Sequence, residues 1–159
     1  MQLIEPVELE DVDLGDLTQS VGFMVRLAQV ATYATFFRTL KDKTLKPGEF
    51  TVLWVIGLNA GIRQGTVAQT LKIKPAHMTK LVQRLVSAGF VDRKVPASDR
   101  RAVQLTLTDA GKAYCKKHHA AFVKVRNAER GALTDQETQD LLRLLEKLAF
   151  GGKADDLGR

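Results

Sequence analysis

The stretch from Leu71 to Arg101, LKIKPAHMTKLVQRLVSAGFVDRKVPASDRR, constrains the fold most. Met78, Leu81, Val82, Leu85 and Val86 recur at spacings of three and four, which places them on one stripe of a helix. His77, Thr79, Lys80, Gln83 and Arg84 fall on the other side. Pro75 suits the first helical turn, where a missing N–H costs nothing. Ala88-Gly89 predicts the helix stop, because glycine accepts the left-handed conformation found there. Phe90 and Val91 begin an extended run, and Val95-Pro-Ala-Ser-Asp99 is turn-like. Val103, Leu105 and Leu107 alternate with polar residues, as in a half-buried strand. Helix, strand, basic turn, strand is the order of a winged helix with its recognition helix and wing.

Charge points the same way. Residues 72 to 101 hold eight Lys or Arg against two Asp, an excess of six that equals the net charge of the whole 159-residue chain. A basic excess confined to one segment is the footprint of a phosphate-backbone partner. Charged residues also serve as a solvated face, and it is the helix-and-wing context that favours nucleic acid. Other classes find little support. No apolar run approaches the ~20 residues needed to span a bilayer, and the acidic N-terminus lacks the basic start of a secretory signal. Cys115 is the single cysteine, so neither an intramolecular disulfide nor a cysteine metal cluster is expected. Cys115 with His118-His119 is a poor metal set, since adjacent helical residues diverge by ~100°. There is no Gly-rich phosphate loop, nucleophile motif or carboxylate pair. We therefore expect no catalytic residue, cofactor or structural metal, and a cytoplasmic, non-membrane protein.

Residues 1 to 16 carry six acidic residues and no basic one, and read as a tail. A long helix is predicted from about Leu14 to Leu40. Leu17, Val21, Met24 and Ala28 mark one apolar stripe, and Phe23, Leu27, Val30, Ala34 and Phe37 a second. Two stripes imply burial from two directions, one of them against a second subunit. Leu45 to Phe50 opens another helix, with Pro47 at its first position and Leu45 placed to staple onto Phe50. Gln64 to Leu71 is a short helix joined to the recognition helix at helix-turn-helix spacing. Thr108 is a good N-cap for a fifth helix to about Arg130. Thr134-Asp-Gln-Glu137 is a capping box for a last one, whose stripe is Leu141, Leu142, Leu145 and Leu148 and whose stop is Gly151-Gly152.

At this point the residues match a known pattern. Asp99-Arg100-Arg101 followed by Val103-Gln-Leu-Thr-Leu-Thr108-Asp-Ala-Gly111 resembles the wing signature of the MarR family of bacterial transcriptional regulators. Leu81-Val82-x-Arg84-Leu85-x-x-x-Gly89-Phe90-Val91 resembles the family's recognition helix and its exit. The resemblance covers about residues 14 to 150. It implies a mainly α fold with a small β-wing. The winged helix-turn-helix lobe would span residues 45–108, and residues 14–44 and 109–150 would form a helical dimerisation region. Residues 1–13 would be an acidic tail and 151–159 a C-terminal one. It also implies a homodimer that represses a near-palindromic double-stranded operator, and a small aromatic or phenolic effector.

Many relatives carry Ser, Thr or Asp at the recognition-helix N-cap, whereas this chain has Lys74, followed by Pro75 and Ala76. A lysine there offers no cap and opposes the helix dipole. It reads either as a DNA contact or as an ordinary surface lysine. Ala76 and His77 are assigned to base edges or thymine methyls, and Thr79, Lys80 and Arg84 to bases or phosphates. In the wing, Ser98 to Arg101 form the tip. Arg100 is expected in the minor groove, Arg101 against Asp99, and Arg93 and Lys94 on phosphates.

For the effector, Phe23, Arg26, Tyr33, Phe37, Phe50 and Trp54 are the candidates that the resemblance suggests. Taken singly, the aromatics read as core. Arg26 would suit an aromatic carboxylate or its thioester. Cys115 is expected to be a packed thiol. The alternatives are a redox-sensing regulator that uses Cys115 and a winged-helix module for protein contact.

Overall fold

The computed structural model describes residues 12–40, 44–96 and 102–151. The wing tip, residues 97–101, and with it Ser98, Asp99, Arg100 and Arg101, lies outside the described residues, as do the two tail segments 1–11 and 152–159.

Among the described residues, six α-helices and a small antiparallel sheet follow the expected winged-helix order. The elements are α1 (Val21–Leu40), α2 (Pro47–Leu58), β1 (Ile62–Arg63), α3 (Gln64–Thr70), α4 (Pro75–Ser87), β2 (Val91–Lys94), β3 (Gln104–Leu107), α5 (Asp109–Ala128) and α6 (Asp135–Phe150). Four of the helices begin or end for a local reason. In α2, Pro47 takes the first helical position and the Glu49 carboxylate accepts the Lys46 N–H at 3.0 Å. Leu45 and Phe50 are both buried beside that turn, as a hydrophobic staple requires. In α4, Pro75 leads and Gly89, at φ 76, follows the last turn. The Thr108 hydroxyl accepts the Gly111 N–H at 3.0 Å and donates to the Gly89 carbonyl at 2.6 Å, so one side chain caps α5 and ties it to the end of α4. The Thr134 capping box is present, with the Glu137 carboxylate accepting the Thr134 N–H at 2.8 Å. Gly151 stops α6 in the left-handed conformation.

Four details differ from the sequence reading. The first helix does not run unbroken from Leu14. A 3-10 turn, Gly15–Gln19, precedes α1, and Ser20 between them is extended. The C-terminal part of α1 packs through Phe36 and Leu40, whereas Phe37, on the expected stripe, is half-buried. Val86 is exposed although it continues the apolar spacing of α4, because it lies at the margin of the face that Met78, Leu81, Val82 and Leu85 bury. Finally, two residues of β1 join the wing sheet. They pair with β3, Ile62 opposite Leu105, while β2 pairs on the other side with Val91 opposite Leu107. A two-residue strand is too short to show alternation.

The core sits where α2, α4 and β3 meet. Phe50, Leu53, Ile56, Met78, Leu85 and Leu105 are its largest fully buried side chains. That packing fixes the angle at which the outer face of α4 is presented.

Candidate nucleic-acid interface

The outer face of α4 stands clear of this core. Lys74 at the N-cap and Pro75, Ala76, His77, Thr79, Lys80, Gln83 and Arg84 are all exposed. No acidic residue lies in the first turn, so the positive end of the helix dipole and the Lys74 charge add. Lys74 supplies no side-chain cap, and its carbonyl accepts the N–H groups of His77 and Met78. The turn before α4 contains Lys72 at φ 53, a left-handed residue other than glycine. Its ammonium lies 5.6 Å from the centre of the Phe150 ring at the end of α6.

Thr79 faces the adjacent helix rather than solvent alone. Its hydroxyl donates to the Pro75 carbonyl at 3.0 Å and accepts from the Gln64 side chain at 3.2 Å. Gln64 thereby joins α3 to α4 across the helix-turn-helix. A groove of about 320 Å³ lined by Gln64, Thr79, Gln83, Val86 and Arg93 connects the recognition helix to the base of the wing. A second, of about 510 Å³, runs past Lys72, Lys74 and Pro75 on the other side of Gln64. The surface from Lys74 along α4 to Arg93 is thus continuous, and Lys94 follows Arg93 as an exposed residue of β2.

Arg84 is placed differently from Lys80. Its guanidinium reaches the Glu49 carboxylate at 2.8 Å, and Glu49 is buried in the first turn of α2. The sequence reading overlooked Glu49 and Gln64, because each lies outside the charged stretch and each becomes relevant only through packing.

The aromatic candidates divide. Phe37 meets Phe36 edge-on, Phe36 meets Phe50, and Phe50 stacks on Trp54 at 5.7 Å and on Phe122 at 5.4 Å. Phe50 is wholly inside this cluster. Phe23 is half-buried, and Arg26 and Tyr33 are exposed, on α1. A concave feature beside Trp54 lies between α2 and α5. It measures about 520 Å³, and its lining includes Trp54, Leu58, Lys112, Cys115, Lys116 and His119. Of the six candidates Trp54 alone lines it. His119 stacks on Trp54 at 5.6 Å, whereas His118 packs on Tyr114 at 4.3 Å, so the two adjacent histidines serve different neighbours. The spacing 112, 115, 116, 119 puts four polar or ionisable residues on one face of α5, a signal that the sequence did carry. Burial raises the Cys115 pKa, which disfavours the thiolate.

Comparison with known proteins places this geometry. Residues 43–102 match the model of the MarR family. A putative transcriptional regulatory protein for the hcr operon of Thauera aromatica is 27% identical over 142 residues, 89% of this chain and 86% of that protein. The transcriptional repressor CouR, bound to a 23-mer DNA duplex, superposes with a TM-score of 0.78 at 26% identity, covering 87% of this chain and 99% of the other. A variant of MarR from E. coli in complex with operator DNA gives a TM-score of 0.76 at 25% identity, covering 86% and 99%.

Proposed function

We propose that the chain, whose residues 43–102 match the MarR family of transcriptional regulators, is a member of that family and acts as a homodimeric, ligand-responsive repressor of a near-palindromic operator. One observation carries the reading. Lys74, Lys80, Arg93 and Lys94 are all exposed, and two grooves that share Gln64 and Thr79 link the start of α4 to the base of the wing above a complete core. In this reading the N-terminal half of α4 enters the major groove. Ala76 and His77 meet base edges or thymine methyls, and Lys80 is suited to guanine O6 and N7. Thr79, held by Gln64, sets the pose of that half-turn. Arg93 and Lys94 take phosphates, and Arg100, at the wing tip between Ser98-Asp99 and Arg101, takes the minor groove.

The dimer would form through α1 and α6, whose apolar faces are exposed in the single chain, with α5 packed on α1 behind them. The effector would sit in the α2–α5 cleft. Trp54 and His119 offer a flat stacking surface there, and Lys112 and Lys116 offer cations, which together suit an aromatic acid. The raised thiol pKa of Cys115 favours a bound ligand over an oxidant as the trigger, since the thiolate is the reactive form.

The test is a mobility shift on the upstream region of the protein's own gene at several salt concentrations. Specific binding with a steep salt dependence is expected. The double substitution Lys80→Ala with Arg100→Ala should weaken binding and flatten the slope by about 0.9 for each phosphate no longer neutralised. Unchanged affinity in that variant would remove the assigned DNA face.

A further inference from the structure

The excess of six positive charges in residues 72 to 101 counts Arg84 as fully available to DNA. Packing puts an acid from elsewhere in the chain beside it. Glu49 belongs to α2, and its side chain is 2% exposed, whereas that of Arg84 is 56% exposed. One carboxylate oxygen lies 2.8 Å from the Arg84 guanidinium and the other accepts the Lys46 N–H at 3.0 Å. A buried carboxylate is costly unless its charge and lone pairs are met. Here the backbone amide donates to one oxygen, while the other makes no hydrogen bond and has its charge met by the guanidinium on the recognition helix. The pair forms a wall of an open cleft of about 570 Å³ between the start of α2 and the second half of α4, which Lys80 and Gln83 also line.

Arg84 lies four residues beyond Lys80, on the same face and one turn farther from the helix N-terminus. At that position a recognition helix passes the groove wall, where phosphates rather than base edges are in reach. We propose that Glu49 is a positioning residue for DNA recognition. It pins Arg84 against α2, fixes the second half of the recognition helix, and withholds one positive charge per subunit from the DNA backbone. The inference rests on the DNA-binding reading above. It revises that reading at one residue, since Arg84 becomes a strut rather than a base or phosphate contact. The charge that the duplex meets is then one less per subunit than the sequence suggests, which limits sequence-independent binding relative to base readout.

The experiment compares wild type, E49Q, R84Q and the double variant, each as the full chain, on the same operator fragment across a salt series. E49Q keeps the side-chain shape and an oxygen to accept the Lys46 N–H, and removes only the charge. It should free Arg84 and steepen the slope of log K against log salt by about 0.9 per subunit, or about 1.8 for a dimer, with tighter binding to non-operator DNA at low salt. R84Q should leave the wild-type slope in place, and the double variant should also return to it. A slope unchanged in E49Q, or flattened in R84Q, overturns the proposal.

Thermal unfolding without DNA gives a separate readout. The melting shifts of E49Q and R84Q should be non-additive, with the double variant losing less than their sum. Additive shifts would sink the pairing. A wild type that binds no DNA while the thermal cycle shows coupling would refute the proposed function and leave the strut intact.

Discussion

The winged lobe and the helices that flank it treat their apolar residues in opposite ways. In the lobe, α2 and α4 bury one face against the core, and Leu58, Val86 and, just after β2, Val95 are the large apolar side chains left in solvent. In the flanks, α6 buries no residue, although Leu141, Leu142, Leu144, Leu145 and Leu148 lie along it. α1 buries Phe36 and Leu40 near its C-terminal end and leaves Val21, Met24, Val25, Leu27 and Val30 exposed. Yet α6 is well specified as a helix, with a capping box at Thr134 and a glycine stop at Gly151. A helix so carefully begun and ended, with a leucine-rich face on water, is what the proposed dimer would use as a seam. The lobe completes itself, and the proposed dimer would give the flanks a second copy to cover them.

The strongest way to break this contrast is to charge the flank. Leu142 and Leu148 are 57% and 59% exposed in the single chain. Replacing both with Asp would cost a monomer almost nothing. In a twofold interface the change places four carboxylates in a desolvated seam. The double variant should sediment as a monomer and lose operator affinity by more than about 100-fold, given the several kcal/mol cost of burying unpaired charge. A variant that stays dimeric would move the interface away from α6.

The next effect belongs to the lobe and should ignore protein concentration. A Cβ on Gly111 would run into the Phe90 carbonyl, at the point where the first turn of α5 crosses the end of α4. The obstacle is backbone, so neither side can yield cheaply. Gly111→Ala should destabilise the fold by about 1–3 kcal/mol, read as a lower urea midpoint. That loss should be the same at low and high protein concentration. The leucine substitutions, by contrast, should make the midpoint insensitive to concentration where the wild type is sensitive.

The same division explains what could be read from the residues alone. Local signals were legible: Pro47 and Pro75 at helix starts, Thr108 and Thr134 as caps, Gly89 and Gly151 as stops, and the alternation through Leu105. Each depends on a few neighbouring residues. The two stripes read along the first helix fare less well, since the residues that α1 buries, Phe36 and Leu40, lie on neither. Pairings between distant segments were not legible. Glu49 to Arg84 and Gln64 to Thr79 each join side chains of separate helices, and neither member carries a mark of its partner in sequence. Likewise the resemblance grouped α1 residues such as Arg26 and Tyr33 with Trp54, while the cleft beside Trp54 is lined by residues of α2, β3 and α5.

Two caps sharpen the comparison at smaller scale. Thr108 caps α5 and also bonds Gly89 in the lobe, whereas Thr134 caps α6 and bonds within its own turn. Thr108→Ala should therefore cost more than the ~1 kcal/mol typical of a missing N-cap, because the Gly89 carbonyl also loses its donor. Thr134→Ala should stay near that typical value. Equal losses would mean that the Gly89 bond contributes nothing.

The smallest effect lies at the seam between the two regions. Cys115 faces the α2–α5 cleft from a half-buried position, and burial pushes its pKa above the ordinary 9.0. The neutral thiol is favoured in the folded protein, so the stability linked to this group is complete below pH 9 and declines as pH rises past it toward the folded value. Iodoacetamide should accordingly modify the folded protein more slowly at pH 8 than an unfolded control, by a factor of a few, with the difference narrowing in more alkaline solution. An aromatic acid held between Trp54 and the lysines would cover the thiol and slow the reaction further. If alkylation matched the unfolded rate and no aromatic acid slowed it, the cleft would be open solvent, and the effector would have to be sought along α1, on the surface that a second copy of the chain is expected to cover.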